Sequence, residues 1–329
     1  MAMIPPASAP DFLTRAGWQG AEILPLAGDA SFRRYFRVCH EKLGDAVLMD
    51  APPEHEDVRP FISIADHLDR HGLRAPRILA RDVERGLLLL EDFGDDRVGP
   101  VLAKGEGDEE AIYKAAVDTL VELHERPLPD DLPPYDEAQL RREVELFPDW
   151  YMGAVNLDPD RESYLAAWSE LLPSLAARSL ERPVLVLRDY HADNLMLLRD
   201  GGLGLLDFQD ALAGHPAYDL VSLLQDARRD VSPELEARMI KYFLDQSRIA
   251  DREAFLADYQ LLGAQRNSKI LGIFTRLWKR DGKRHYLPLQ PRVWGLLERN
   301  LAHEALAPVA RWYEKHVPAD KRAAAWSEE

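Results

Sequence analysis

The sequence predicts an α+β protein of two lobes: a small lobe of mixed sheet and helix over residues 1–93, and a larger, mainly helical lobe over residues 94–329. Three observations carry this. Up to about residue 90, short apolar runs separated by polar turns have the length and composition of strands. At Glu91–Gly94 the apolar run breaks into acids and a glycine, the best domain boundary in the chain. Beyond it, apolar residues recur at the three- and four-residue spacing of amphipathic helices.

In order, Phe12–Gly17 predicts a short helix, and Ile23–Leu26 leads into a glycine-opened turn, Gly28–Phe32. Arg34–Val38 and Ala46–Asp50 read as strands joined by a polar loop. Val58–His71 places Phe61, Ile64, Ala65 and Leu68 on one helical face and stops at Gly72. Pro76–Arg81 and Gly86–Leu90 read as two more strands. In the second lobe, helices are expected at Glu109–His124, Glu137–Tyr151, Asp160–Leu172, Tyr218–Ala227, Pro233–Ser247, Arg252–Leu277 and Pro291–His316. Strand-like Val184–Leu187, Leu195–Leu198 and Leu203–Leu206 interrupt them.

The bulk numbers narrow the class. Apolar residues make up 46% of 329, enough for a substantial core. Lys and Arg number 41 against 57 Asp and Glu, a net charge of −16, which argues against a nucleic-acid partner, because such binding needs a net basic face. Cys39 stands alone, so no intrachain disulfide forms. The N-terminus lacks a basic stretch followed by an apolar one, and no apolar run approaches ~18 residues. The expectation is a cytoplasmic protein without a membrane segment or an obligate protein partner.

The chemistry concentrates in Val184–Asp210. Asp189 lies on a short loop after an apolar run, Asn194 follows five positions later, and a second apolar run ends in Asp207-Phe208. A carboxylate can take a proton from an incoming hydroxyl. An amide and a second carboxylate supply the few protein oxygens that Mg²⁺ uses beside water and phosphate. This spacing matches the phosphoryl-transfer pattern of base, metal ligand and second metal ligand: Asp189, Asn194 and Asp207. Asp and Asn are also common turn residues, so any one of them alone would read as surface structure. His191 is either a substrate contact or a loop histidine bonded to backbone.

The segments Leu187–Leu195 (LRDYHADNL), Leu206–Asp210 (LDFQD) and Ala217–Leu220 (AYDL) resemble those of the aminoglycoside phosphotransferase-like family, relatives of the protein kinases. The resemblance implies a bilobal protein-kinase-like fold, ATP and Mg²⁺ as cofactors, and Asp219 as the residue that braces the catalytic loop. Gly28–Val38 (GDASFRRYFRV), Met49–Pro53 (MDAPP) and Gln265–Lys283 are further similar to the anomeric amino-sugar kinases of cell-wall recycling within that family. This implies N-acetylmuramate or N-acetylglucosamine as acceptor and a sugar 1-phosphate as product.

At the nucleotide end, Gly28 and Ser31 sit where a turn can offer backbone N–H groups and a hydroxyl to phosphate; an ordinary hairpin turn is the alternative. Glu91 and Phe93 resemble the family's hinge, whose backbone meets the adenine edge, although a buried strand leaving its sheet would look alike. The departure is Met49, which stands where such folds carry a strand lysine. Strand alternation puts Arg34, Phe36 and Val38 on one face and Arg33, Tyr35 and Arg37 on the other. If Phe36 and Val38 face the nucleotide, Arg34 partly replaces that lysine; otherwise it is a solvated strand residue.

At the acceptor end, Glu143, Phe147 and Trp150 share one side of a helix, a surface suited either to a sugar or to the core. Arg266 and Lys269 interrupt an apolar helix, where a charge needs a reason: a salt bridge, or the lactyl carboxylate of N-acetylmuramate. Two other readings stay open: the same fold acting on an aminoglycoside, choline or another alcohol, or a nucleotide-binding pseudokinase, which Met49 would favour.

Overall fold

The computed structural model describes residues 3–28, 32–158 and 160–322. Its elements begin with α1 (Ala9–Arg15), β1 (Glu22–Gly28), β2 (Arg34–His40), β3 (Gly44–Asp50), α2 (Arg59–Arg70), β4 (Ile78–Asp82), β5 (Leu87–Glu91) and α3 (Val98–Ala103). There follow α4 (Glu109–His124), α5 (Glu137–Val144), a π-helical turn at Phe147–Met152, α6 (Arg161–Trp168) and α7 (Leu171–Glu181). Next come β6 (Val184–Val186), β7 (Leu195–Leu197), β8 (Leu203–Leu205), β9 (Leu212–Gly214), α8 (Ala217–Leu224) and α9 (Pro233–Gln246). The chain closes with α10 (Arg252–Asp281), α11 (Gln290–Leu301), α12 (Ala307–His316) and α13 (Ala319–Arg322). Among the described residues no helix is long and apolar enough to cross a membrane.

The chain divides into two compact units, Met1–Gly107 with Asp193–Asp210, and Asp108–Ala192 with Ala211–Glu329. Leu197 N–H donates to Asp96 O at 2.8 Å and Leu205 N–H to Arg74 O at 2.7 Å, which ties β7 and β8 to the N-terminal unit.

The first unit is built on an antiparallel sheet in the order β1-β2-β3-β5-β4. One face carries Phe36, Val38, Ala46, Leu48, Leu87 and Leu89, all buried against Phe12 and Leu13 of α1 and Trp18. α2 turns its expected stripe of Phe61, Ile64, Ala65 and Leu68 inward. β1 is a full strand where the sequence suggested only a lead-in. Pro25 hid it, and Pro25 is tolerated because β1 is an edge strand with a register shift at Pro25/Ala27. Gly86 must be glycine: its φ is +67° and a Cβ would lie 1.8 Å from the Ala51 carbonyl oxygen.

The second unit is helical around α10, which packs against α5, α8, α11 and the π-helical turn. Asp108 and Asp251 cap α4 and α10 by accepting N–H bonds from Ala111 and Ala254 at 3.1 and 2.9 Å. β6 pairs with β9, a three-residue strand too short to show alternation in sequence. Three expected helices are divided. The helix expected over Glu137–Tyr151 stops at Val144 and resumes as a π-helical turn, because Pro148 lacks the N–H that would continue the ladder. Pro173 and Pro308 each sit in the first turn of a new helix, α7 and α12, where a proline is accommodated.

Candidate active site

In the first unit a cavity of about 460 Å³ opens on the sheet. Leu26, Val47, Leu90, Met196 and Leu206 form its apolar walls, and Asp193, Asn194 and Asp207 give it a polar end. Phe93 lines it too, its ring lying on the backbone of Gly204; a Cβ there would come within 2.6 Å of the ring, so only glycine fits. Glu91 is also at the wall. Its carboxylate pairs with Arg77 at 3.0 Å, and its N–H donates to Arg77 O at 2.9 Å, so that donor is already used within the sheet.

Tyr35 lines the cavity and Phe36 and Val38 do not. The faces of β2 are therefore the reverse of what Arg34 as a phosphate contact requires. Arg34 donates from Nε to Asp50 at 2.8 Å and from Nη1 to the Ile4 carbonyl at 3.1 Å. Arg33, on the cavity face, donates to Asp207 Oδ1 at 3.1 Å and is 7% exposed. Met49, on the cavity side by alternation with Val47, is 1% exposed. Gly28 ends β1 opposite Arg34, and Ser31 lies outside the described residues.

Asp207 follows β8 with φ +59°, a left-handed conformation unusual outside glycine. Asn194 Nδ2 is 3.5 Å from Asp207 Oδ2, and Leu206 N–H donates to Asn194 O at 3.0 Å. One carboxylate and one carboxamide fit Mg²⁺, which takes few protein oxygens and completes its shell with phosphate and water. Among the described residues no cluster of three or more His, Cys, Asp or Glu would bind a metal by side chains alone.

In the second unit, Asp189 lies on the loop after β6, half-buried. The loop is pinned by α8. Asp219 accepts from Leu187 N–H at 2.6 Å and from Arg188 N–H at 2.8 Å, and Ser222 Oγ donates to Arg188 O at 3.2 Å. Arg188 itself has φ +70°. Burial opposes ionisation of Asp189, yet Lys269, Arg266 and Arg188 hold its carboxyl below the usual value. His191, buried on the same loop, also acts in that direction when charged, but burial pushes it well below 6.5, so it is neutral at pH 7.

Glu143, Phe147 and Arg266 are buried, Lys269 is half-buried, and the charged ones bond to one another or to neighbouring side chains. Glu143 is 3% exposed and accepts from Tyr135 Oη, Arg188, Lys269 Nζ at 3.0 Å and Gln265 Nε2 at 2.9 Å. Burial alone would raise its pKa, but Lys269 and Arg188 drive it below the ordinary carboxylate range. Lys269 also donates to Tyr218 Oη at 3.2 Å, and Arg266 donates to Ser222 Oγ at 2.7 Å. The two cations are thus committed to internal partners, the salt-bridge alternative. Phe147 is fully buried among Tyr151, Tyr164, Trp294 and Tyr313, with ring centroids 5.0 to 5.8 Å away. Trp150 is half-buried. The sequence reading missed Arg33, Arg188 and Tyr135; only the alternation of β2 pointed to the first, and nothing local pointed to the others.

A five-stranded antiparallel sheet followed by a helical second unit is the fold class of the kinase-like phosphotransferases. The sequence pattern of the phosphotransferase enzyme family matches residues 22–259, and the chain belongs to that family. It is 41% identical over 306 residues to an N-acetylmuramate/N-acetylglucosamine kinase of Pseudomonas aeruginosa, covering 89% of this chain and 88% of the relative. It is 37% identical over 352 residues to a protein of the same name from Caulobacter vibrioides, covering 94% and 96%. Among solved structures, the streptomycin-ATP-APH(2″)-IIa ternary complex superimposes with a TM-score of 0.59 at 14% identity, covering 92% of this chain and 98% of the other, a likeness of fold.

Proposed function

We propose that the chain is an ATP-dependent kinase that phosphorylates the anomeric hydroxyl of N-acetylmuramate and N-acetylglucosamine to the 1-phosphate. The acceptor rests on one observation: relatives sharing this name align with nearly the whole chain at 37–41% identity. The donor side is supported by the apolar cavity that ends at Asn194 and Asp207, and by the ATP in a solved structure of the same fold. In this reading residues 1–93 supply most of the nucleotide cavity, and residues 94–329 the base and the acceptor helices. The donor places the reaction in the cytoplasm, and a sugar 1-phosphate suits onward nucleotide-sugar synthesis.

Asp189 is the general base. It is ionised at neutral pH and accepts the proton of the anomeric hydroxyl as that oxygen bonds to the γ-phosphorus. The bond from the γ-phosphorus to its bridging oxygen breaks, and ADP leaves. An anomeric hydroxyl is more acidic than other sugar hydroxyls, so a carboxylate of low basicity suffices and orientation matters as much as proton removal. Asn194 and Asp207 would hold Mg²⁺, which would offset the charge that builds on the transferred phosphoryl group.

The test is ADP release with ATP against a panel of N-acetylmuramate, N-acetylglucosamine, an aminoglycoside and choline. Release is expected with either amino sugar, accompanied by loss of reducing-end reactivity. Release with the aminoglycoside or choline and with neither sugar would refute the acceptor while leaving the phosphotransferase class intact.

A further inference from the structure

A triphosphate in the cavity needs a positive partner, and position 49, where related folds place a lysine on this strand, holds a methionine that is 1% exposed. The other cations near the cavity stand beside Asp92 and Asp95. Arg37 pairs with Asp92 at 2.6 Å and Asp95 at 2.8 Å. Arg97, which precedes α3, lines the cavity and lies near Asp95.

Arg33 is placed differently. Tyr35 is the direct cross-strand partner of Met49. Arg33 immediately precedes β2, two residues from Tyr35, and its side chain reaches Asp207 at 3.1 Å. The face is fixed by its occupants: Tyr35 lines the cavity, Arg37 reaches the lining residues Asp92 and Asp95, and Arg33 reaches the lining residue Asp207 at 3.1 Å. Arg33 as a whole is 7% exposed, so its side chain is already largely stripped of water, and the planar fork of its guanidinium suits phosphate oxygens.

We propose that Arg33 supplies the phosphate-side charge that a lysine at position 49 would otherwise supply, binding phosphate oxygens of the nucleotide while orienting Asp207. This rests on the cavity being the nucleotide site. Arg33 thereby acts on the donor's phosphates and leaves the adenosine moiety to the apolar walls.

Calorimetric titration of wild type, Arg33→Met and Arg33→Lys with ATP, ADP and adenosine, in EDTA and again with Mg²⁺, separates the possibilities without reading turnover. Arg33→Met is expected to lose about 10- to 100-fold in ATP and ADP affinity, the worth of charge-assisted hydrogen bonds, and to bind adenosine within about twofold of wild type. Arg33→Lys is expected to recover part of the loss, as is Met49→Lys placed in the Arg33→Met background. ADP affinity that ignores Arg33, or ADP and adenosine affinities that fall by the same factor, would overturn the inference and leave the nucleotide reading standing. A wild-type protein that binds neither ligand would remove both. If Arg33→Met does not fold, Arg33→Gln and Arg33→Lys carry the same comparison.

Discussion

Two turns carry the candidate chemistry, and each puts a non-glycine residue in the left-handed region directly after or close behind a three-residue strand: Arg188 beyond β6 and Asp207 beyond β8. Such a residue costs about 1–3 kcal/mol unless its surroundings hold it. The surroundings differ. At Arg188 the hold is polar: Asp219 takes two backbone N–H groups, Ser222 donates to the carbonyl, and Glu143 anchors the guanidinium. At Asp207 it is mixed: Arg33 and Gln209 donate to the carboxylate at 3.1 and 2.8 Å, while the next residue, Phe208, adds an apolar anchor, fully buried with its ring 4.8 Å from that of Phe61. A polar hold responds to pH and fails sharply when one charge is removed. An apolar hold does neither.

Four substitutions would break or sharpen this contrast. The largest effect belongs to Asp189→Ala: kcat is expected to fall by about 10²–10⁴-fold while ADP affinity stays within about threefold, measured by steady-state kinetics and calorimetry. A folded Asp189→Ala protein with normal turnover would defeat the base assignment. Glu143→Ala leaves Arg188 and Lys269 buried without their carboxylate, and is expected to lower unfolding free energy by about 3–5 kcal/mol in urea titrations. A loss under 1 kcal/mol would mean that solvent or other groups take over the two cations. Phe208→Ala is expected to cost a similar or slightly smaller amount, about 3 kcal/mol, with no change in its pH dependence.

The smallest effect concerns Asp219, which burial pushes up from 3.8 to about 7 despite its two N–H donors. Between those values the folded chain holds a proton that the unfolded chain has released. The contribution of this carboxyl to stability is therefore full below pH 3.8 and is lost as pH rises through 7, with a slope of at most about 1.4 kcal/mol per pH unit. Relative to Asp219→Asn, wild type should lose stability as pH rises from about 3.8 to about 7 and level off above that. Parallel curves for the two proteins would contradict this. Glu143 and Asp189, whose carboxyls are held low, lose stabilisation only on acidification and stay out of that window.

The fold was legible where patterns are long or spacings rigid. The inward stripe of α2 and the bounds of α4 followed from helical periodicity, and the turn positions of Asp189 and Asp207 followed from the apolar runs before them. Illegible parts depended on what lay across the element. The alternation of β2 sorted Arg33 from Arg34 but could not say which face met α1, and hence which of the two arginines reaches the cavity-lining Asp207. Glu143 and Phe147 share a helical side, yet spacing does not distinguish a side facing ligand from one facing core. Glu143 is buried because Arg188, 45 residues away, and Lys269, 126 residues away, arrive to neutralise it. No local window contains that fact.

The aromatic box around Phe147 also gives the two units unequal optical signatures. The first unit contains a single tryptophan, Trp18; five more described tryptophans belong to the second, with Trp294 and Trp312 inside the box. Intrinsic emission and near-ultraviolet circular dichroism will therefore follow the second unit, while changes in the first pass almost unseen except through Trp18, edge-on to His40 at 5.9 Å. Replacing Trp18 with phenylalanine would make tryptophan emission a readout of the second unit alone, so that melting of the two units can be followed separately in one intact chain.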